Sequence, residues 1–313
     1  MIGRLLHRLM TSFLVLVGVL WIGFMMLQVL PADPAAAIAG STGTDAEIEA
    51  IRRHLGLDQP LVWQFWIYLQ RVAVGDFGRS VINNAPVAGE LLRAAGPTLE
   101  LMLASMAWAV PSGLLLGAFA ATRRGGVIDR LVMAISVAGV SVPVFWVGLL
   151  MIQFAAATRL FPIQGRGGPL WTAEGLSHIV LPATALGLIL IGPVARMTRT
   201  ALADTLSADY VRTARAKGAS ELRVVAGHAM RTAWLPIVTL LGLQVGTLMG
   251  GAVVTETIFS WPGVGRLAVG AIVSSDYPLA QGAILFLATA FIVVNIVVDL
   301  LYGVLDPRVR RSA

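Results

Sequence analysis

Six stretches of this chain are long and apolar enough to be membrane spans, and no other feature limits its fold so strongly. A helix needs about 20 apolar residues to cross the hydrocarbon. The stretches are 9–30, 97–121, 131–158, 179–194, 233–254 and 279–304. The fourth is short and is punctuated by Pro182, Gly187, Gly192 and Pro193. Hydrophobic residues make up 57% of the chain and charged residues 13%. Soluble domains carry about 25% charged residues, and disorder needs high charge with low hydrophobicity, so both classes are excluded. The expectation is an all-α integral membrane protein with six transmembrane helices. The first apolar run, behind Arg4, His7 and Arg8, is longer than the roughly 7–15 residues of a signal-peptide core, so it is read as a retained span.

The connecting segments sort by charge. Segments 1–8, 122–130, 196–231 and 305–313 hold 15 Lys and Arg, against 8 in 31–96, 159–178 and 255–278. The richer set belongs in the cytoplasm, which puts both termini inside. The basic excess is thereby assigned to topology rather than to nucleic acid. The resulting division is an N-terminus with helix 1 (1–30), a long external segment (31–96), a core with helices 2–6 (97–304) and a C-terminus (305–313). In the external segment, Thr44-Asp45-Ala46-Glu47 reads as a capping box opening a short helix, with Gly56 as its stop. A second short helix is expected over 60–74, carrying Trp63, Phe65, Trp66 and Tyr68. Such aromatics favour the headgroup layer, and packing on the span ends is the alternative.

Catalytic chemistry has no visible basis. The chain has no cysteine, its four histidines are scattered, and neither H-x-x-x-H nor a P-loop pattern occurs. No catalytic residue, metal ligand or bound cofactor is therefore expected. Ionisable residues in or beside spans are costly and default to functional candidates. They are Glu100, Glu256 and Asp299. Interfacial solvation is the simple reading for Glu100, and pairing with a cytoplasmic arginine for Asp299. Glu256, with Trp261 and Pro262, is placed at an outer gate; a water-exposed carboxylate is the alternative. None sits beside a second carboxylate at mid-membrane, which disfavours a proton-driven carrier. Gly242, Gly246 and Gly250 recur every fourth residue and should let a neighbouring helix approach closely.

Segment 196–231 is the most informative. It contains Asp209-Tyr210-Val211-Arg212-Thr213-Ala214-Arg215-Ala216-Lys217-Gly218, then Ala219-Ser220-Glu221 and His228-Ala229-Met230-Arg231. From the residues alone it is a short basic helix ending near Gly218, and a basic loop that only sets topology is an open alternative. This segment resembles the EAA loop of ABC-importer permeases, the binding-protein-dependent transport family. The glutamate of that pattern is absent, since Arg212-Thr213-Ala214 stands there, while Gly218 matches its glycine. Such departures are habitual in the dipeptide/oligopeptide/nickel branch. Other runs resemble the same branch in order along the chain: Leu30-Pro31-Ala32-Asp33-Pro34, Gly75-Asp76-Phe77-Gly78-Arg79-Ser80, Trp261-Pro262-Gly263-Val264-Gly265-Arg266 and Asp276-Tyr277-Pro278.

The resemblance implies a type I ABC-importer permease in a bacterial-type cytoplasmic membrane, the first of two related permease subunits. It implies two cytoplasmic ATPases, which hold the ATP and magnesium, and an external binding protein. Ala214, Arg215, Ala216, Lys217, Gly218, Ala219 and Glu221 would form the knob that couples to one ATPase. The implied solute is a di- or oligopeptide. Nickel chelates, glutathione and glycosides are the alternatives within the branch, and peptide is preferred to nickel because the spans offer few histidines or carboxylates.

Overall fold

The computed structural model describes residues 2–29, 44–54 and 58–305. Gly56, the Leu30–Pro34 run and the residues after Leu305 lie outside the described residues. The chain is helical throughout the described spans. In order these are α1 (Ile2–Val29), α2 (Asp45–His54), α3 (Leu61–Ala73), α4 (Val87–Thr122), α5 (Val127–Ser141), α6 (Val144–Thr158), α7 (Ala173–Leu206), α8 (Asp209–Ala216), α9 (Glu221–Arg223), a π-helical turn (Val224–Ala229), α10 (Met230–Ile258), α11 (Val264–Val273) and α12 (Tyr277–Leu305). Two compact units divide them. One comprises Met1–Thr98 with Pro262–Ile292, and the other Leu99–Trp261 with Val293–Ala313.

In the first unit, α2 starts where the capping box sets it. The Thr44 backbone N–H donates to Glu47 at 2.8 Å, and the Glu47 N–H returns to the Thr44 hydroxyl at 3.4 Å. The Thr44 N–H, and then its hydroxyl, hold the Glu47 carboxyl below its ordinary value. The core packs Val87, Leu91 and Ala94 of α4 on Val264, Ala268 and Ala271 of α11 and on Leu279, Ala280 and Ala283 of α12. Two of the family-like runs meet here. Asp276, 1% exposed, accepts hydrogen bonds from the Ser80 hydroxyl and from the Val81 and Leu279 N–H groups. One carboxylate thus caps α12 and ties down the loop after α3.

In the second unit, α7 is the most buried of the long apolar helices. Its Ile179, Ala183, Leu186 and Leu190 pack with Leu101, Met102 and Ala109 of α4 and Leu248 and Ala252 of α10. Here the sequence reading is corrected. The glycines and prolines taken as punctuation lie inside one helix of 34 residues that includes Pro182 and Pro193. The glycines admit neighbours. The Trp108 indole N–H reaches the Ala183 carbonyl at 2.9 Å, across the position one turn on where Gly187 has no side chain. At Gly192 a Cβ would press on the Ser136 carbonyl oxygen of α5.

A second correction concerns span 131–158. It is two helices, α5 and α6, bent by 96°. Val142 is extended, at φ −86° and ψ 123°, because the residue before a proline is excluded from the helical region, and Pro143 then opens α6. Among the described residues, α4, α7, the continuous run Glu221–Ile258 and α12 are each long and apolar enough to cross a membrane. The α5–α6 pair makes a fifth if it counts as one broken span, and α1 adds a shorter apolar stretch, Met10–Met25.

Candidate functional site

The segment expected as loop 196–231 is largely helical. Its first part continues α7 to Leu206, so Arg196 and Arg199 stand on that helix. A sharp turn at Ser207 then starts α8. The capping residue Ala208 is extended, and Asp209 places a negative charge in the first turn, where the helix dipole favours one. Val211, fully buried, anchors α8 from below, and the Tyr210 hydroxyl lies 3.1 Å from that of Thr232 on α10.

The C-terminal end of α8 is closed by Gly218, which sits at φ +81°. Its N–H donates to the Arg215 carbonyl at 2.9 Å, and the Ala219 N–H to the Ala214 carbonyl at 3.2 Å. These bonds satisfy carbonyls that a helix end leaves open, and glycine adopts the left-handed conformation without strain. Arg215 then folds back on Glu221 in a two-pronged contact of 2.8 and 3.2 Å. The adjoining carboxylate raises the Arg215 pKa. The structure therefore brings Ala214, Arg215, Ala216, Lys217, Gly218, Ala219 and Glu221 into one knob. Arg215, Ala216, Lys217 and Gly218 are exposed, and Ala214 and Ala219 are half-buried. Sequence reasoning missed Leu222, which is 80% exposed beside the knob. Nothing in its local sequence, Glu221-Leu222-Arg223-Val224-Val225, sets it apart from the apolar residues that follow.

Two ion pairs were also missed. Arg199 of α7 grips Asp129 of α5 at 2.9 and 2.7 Å, and the Gly125 N–H donates to the same carboxylate at 2.9 Å. Arg166, in the loop after α6, grips Glu100 at 2.9 and 2.7 Å. Glu100 is therefore an ion-pair partner and not simply a solvated interfacial carboxylate. Glu256 is fully buried, as is Trp261, so a water-exposed carboxylate is ruled out at Glu256. The Trp261 N–H donates to the Glu256 carbonyl at 2.8 Å, while Pro262 is exposed. The side chain of Asp299 lies outside the described residues.

The three glycines of α10 differ. A Cβ at Gly242 would collide with the Val298 side chain of α12, Gly246 is half-buried, and Gly250 has nothing within 4 Å. Its neighbour Gly251 takes the close contact instead, with Leu186 Cδ1 2.9 Å from an added Cβ. Gly242→Ala is expected to cost about 1–3 kcal/mol through overpacking, and Gly250→Ala to be silent in the isolated chain. Thermal unfolding of the two variants checks this.

Among the described residues, four helices long and apolar enough to cross a membrane, with α7 the most buried of them, define a multi-pass helical membrane protein. The family comparison agrees. The model of the binding-protein-dependent transport system inner membrane component matches residues 113–311, and the N-terminal membrane-component model matches residues 1–110. The chain belongs to this family of inner-membrane transport components. It is 44% identical over 310 residues to the glutathione transport system permease protein GsiC of Escherichia coli K12, covering 99% of this chain and 98% of that protein. The GsiC protein of Shigella dysenteriae serotype 1 matches with the same identity and coverage. Among solved structures, the inward-facing MetNI methionine ABC transporter superposes with a TM-score of 0.56 at 19% identity, over 71% of this chain and 98% of that one. That likeness shows a shared fold.

Proposed function

We propose that this chain is one permease of an ATP-driven importer of short peptides, and that glutathione, itself a tripeptide, is the first solute to test. The full-length 44% identity to a glutathione transport permease carries this reading. In it, a second related permease completes the path, two ATPases supply hydrolysis, and an external binding protein delivers the solute. The knob at Ala214–Ala219, with Glu221, docks on one ATPase. ATP-driven closure of the ATPases moves it as a lever and biases a two-state equilibrium between inward- and outward-open helices. The test is uptake of labelled glutathione, dipeptide and nickel chelate by cells expressing the chain with its partner subunits. Saturable uptake of glutathione or dipeptide, lost when the ATPase is inactivated, is the expected result. Uptake of nickel chelate alone moves the substrate class. Uptake indifferent to the ATPase rejects the reading.

Six spans with both termini inside complete the proposal. A reporter fused at Ala313 is expected to be active in the cytoplasm, and one inserted near Thr44 to report the outside. Opposite results at both sites reverse the orientation. Glu256 is assigned to the outer gate with Trp261 and Pro262. Glu256→Gln is expected to lower uptake severalfold while the chain still inserts. Unchanged uptake together with unchanged basal ATPase activity removes it from the gate.

A further inference from the structure

Helix α3 lies outside the spans, and its aromatic residues point two ways. Phe65 meets Trp21 of α1 edge-on at 4.8 Å and Phe24 at 5.6 Å, and Tyr68 stacks on Phe24 at 6.1 Å. Burial there pushes the Tyr68 hydroxyl up to about 12. Gln64 is buried as well and donates to the Gln59 carbonyl at 2.9 Å. On the opposite side Val62 is 73% exposed, Trp63 55% and Trp66 51%, and Gln70 and Ala73 are also exposed. At about 100° per residue these positions share one face. It carries no charge, and Gln70 is its one polar side chain.

We propose that this face of α3 lies in the headgroup layer of the bilayer, in the leaflet where α1 ends, with the helix axis along the membrane plane. The first support is continuity. Phe13, Leu14 and Ile22 of α1 are each at least 60% exposed on an apolar helix, as a lipid-facing surface requires. Trp21 is 37% exposed and touches Phe65, so that apolar surface runs on to α3. The second is depth. Trp21 and Phe24 stand in the last turns of the apolar stretch Met10–Met25, which holds α3 at the margin of the hydrocarbon. The third is chemistry. Trp63 and Trp66 each join a large apolar body to one indole N–H donor, the combination enriched at membrane interfaces. An amphipathic helix so placed buries its apolar face by about 5–10 Å. Arg71, at the end of α3, keeps its charge off that face by pairing with Asp76 at 3.3 Å.

This chain has no cysteine, so the complex with the wild-type chain, labelled in parallel, reports only the background from its partner subunits. Val62→Cys, Trp66→Cys and Asp58→Cys are spin-labelled one at a time in the full-length chain with its co-purifying subunits, in lipid nanodiscs. At positions 62 and 66, oxygen, which partitions into lipid, is expected to relax the label more than aqueous chromium oxalate. At 58 the order is reversed. Val62→Cys leaves both tryptophans in place, so a packing defect from losing Trp66 cannot decide the outcome. Labels at 62 and 66 as open to chromium oxalate as the label at 58 overturn the proposal. Labels shielded from both reagents also overturn it, since they mean that protein covers the face.

Discussion

A Gly218→Trp chain is expected to insert into the membrane yet lose most of its transport. Gly218 holds φ +81° at the tip of the knob, and a side chain there costs about 1–2 kcal/mol in backbone strain alone. A loss of 1.4 kcal/mol is about tenfold in an equilibrium, so strain by itself lowers the population of this turn conformation relative to its alternatives roughly tenfold. Steric exclusion at the proposed docking surface adds to it. Among the described residues an added Cβ at Gly218 meets nothing within 4 Å, so no packing within the fold is disturbed. That openness separates docking from folding. Gly218→Asn, a residue that tolerates the left-handed conformation, should be mild. Arg215→Ala should also be mild, because exposed ion pairs such as Arg215–Glu221 are worth about 0–1 kcal/mol. Uptake is measured alongside retention of the ATPases on the purified permease. Normal uptake with full ATPase retention in Gly218→Trp returns the segment to a mere topology signal.

The second large effect is expected at Asp129. Its side chain is 5% exposed and that of Arg199 is 24%, and the two form a bidentate pair. Removing one partner of a buried pair leaves an uncompensated charge, at a cost of about 3–5 kcal/mol. The residual exposure of Arg199 puts Asp129→Ala at about 3 kcal/mol, the lower end of that range. Thermal unfolding and detergent-resistant yield should both fall sharply. Asp129→Asn should be intermediate, since its amide oxygen still accepts from the Gly125 N–H. The exchange Asp129→Arg with Arg199→Asp should not restore stability. It would aim a cation at the Gly125 N–H and at the positive end of α5, where a negative group is favoured. An unchanged melting temperature for Asp129→Ala removes the pair from the stability of this unit.

The features legible in the sequence share one property: their physics is local. The capping box at Thr44–Glu47 closes within three residues, and α3 was anticipated at 60–74 against the observed Leu61–Ala73. The short helix ending near Gly218 was legible for the same reason, since its stop needs only a glycine at the right place. Missed features depended on partners distant in the chain. Asp129 and Arg199 are 70 residues apart, and Glu100 and Arg166 are 66 apart, so neither pair leaves a periodic trace.

Glycine and proline show where the boundary runs. By itself the sequence determined the membrane class, the apolar segments, the short helices of 44–74 and the stop of a short helix at Gly218, because bilayer thickness, capping and backbone conformation act on neighbouring residues. It could not decide whether Pro143 breaks a span while Pro182 and Pro193 sit inside one. The same residue types gave a 96° bend in one case and a continuous helix of 34 residues in the other. Only the three-dimensional structure shows which occurs at each proline, because a membrane helix can either break at a proline or continue through it. It also decided which glycines are contacts. Gly187 admits Trp108 and Gly242 admits Val298, while an added Cβ at Gly250, on the same repeat as Gly242, would meet nothing within 4 Å among the described residues. Spacing tells which residues share a helix face, but only the packed neighbours determine what that face meets.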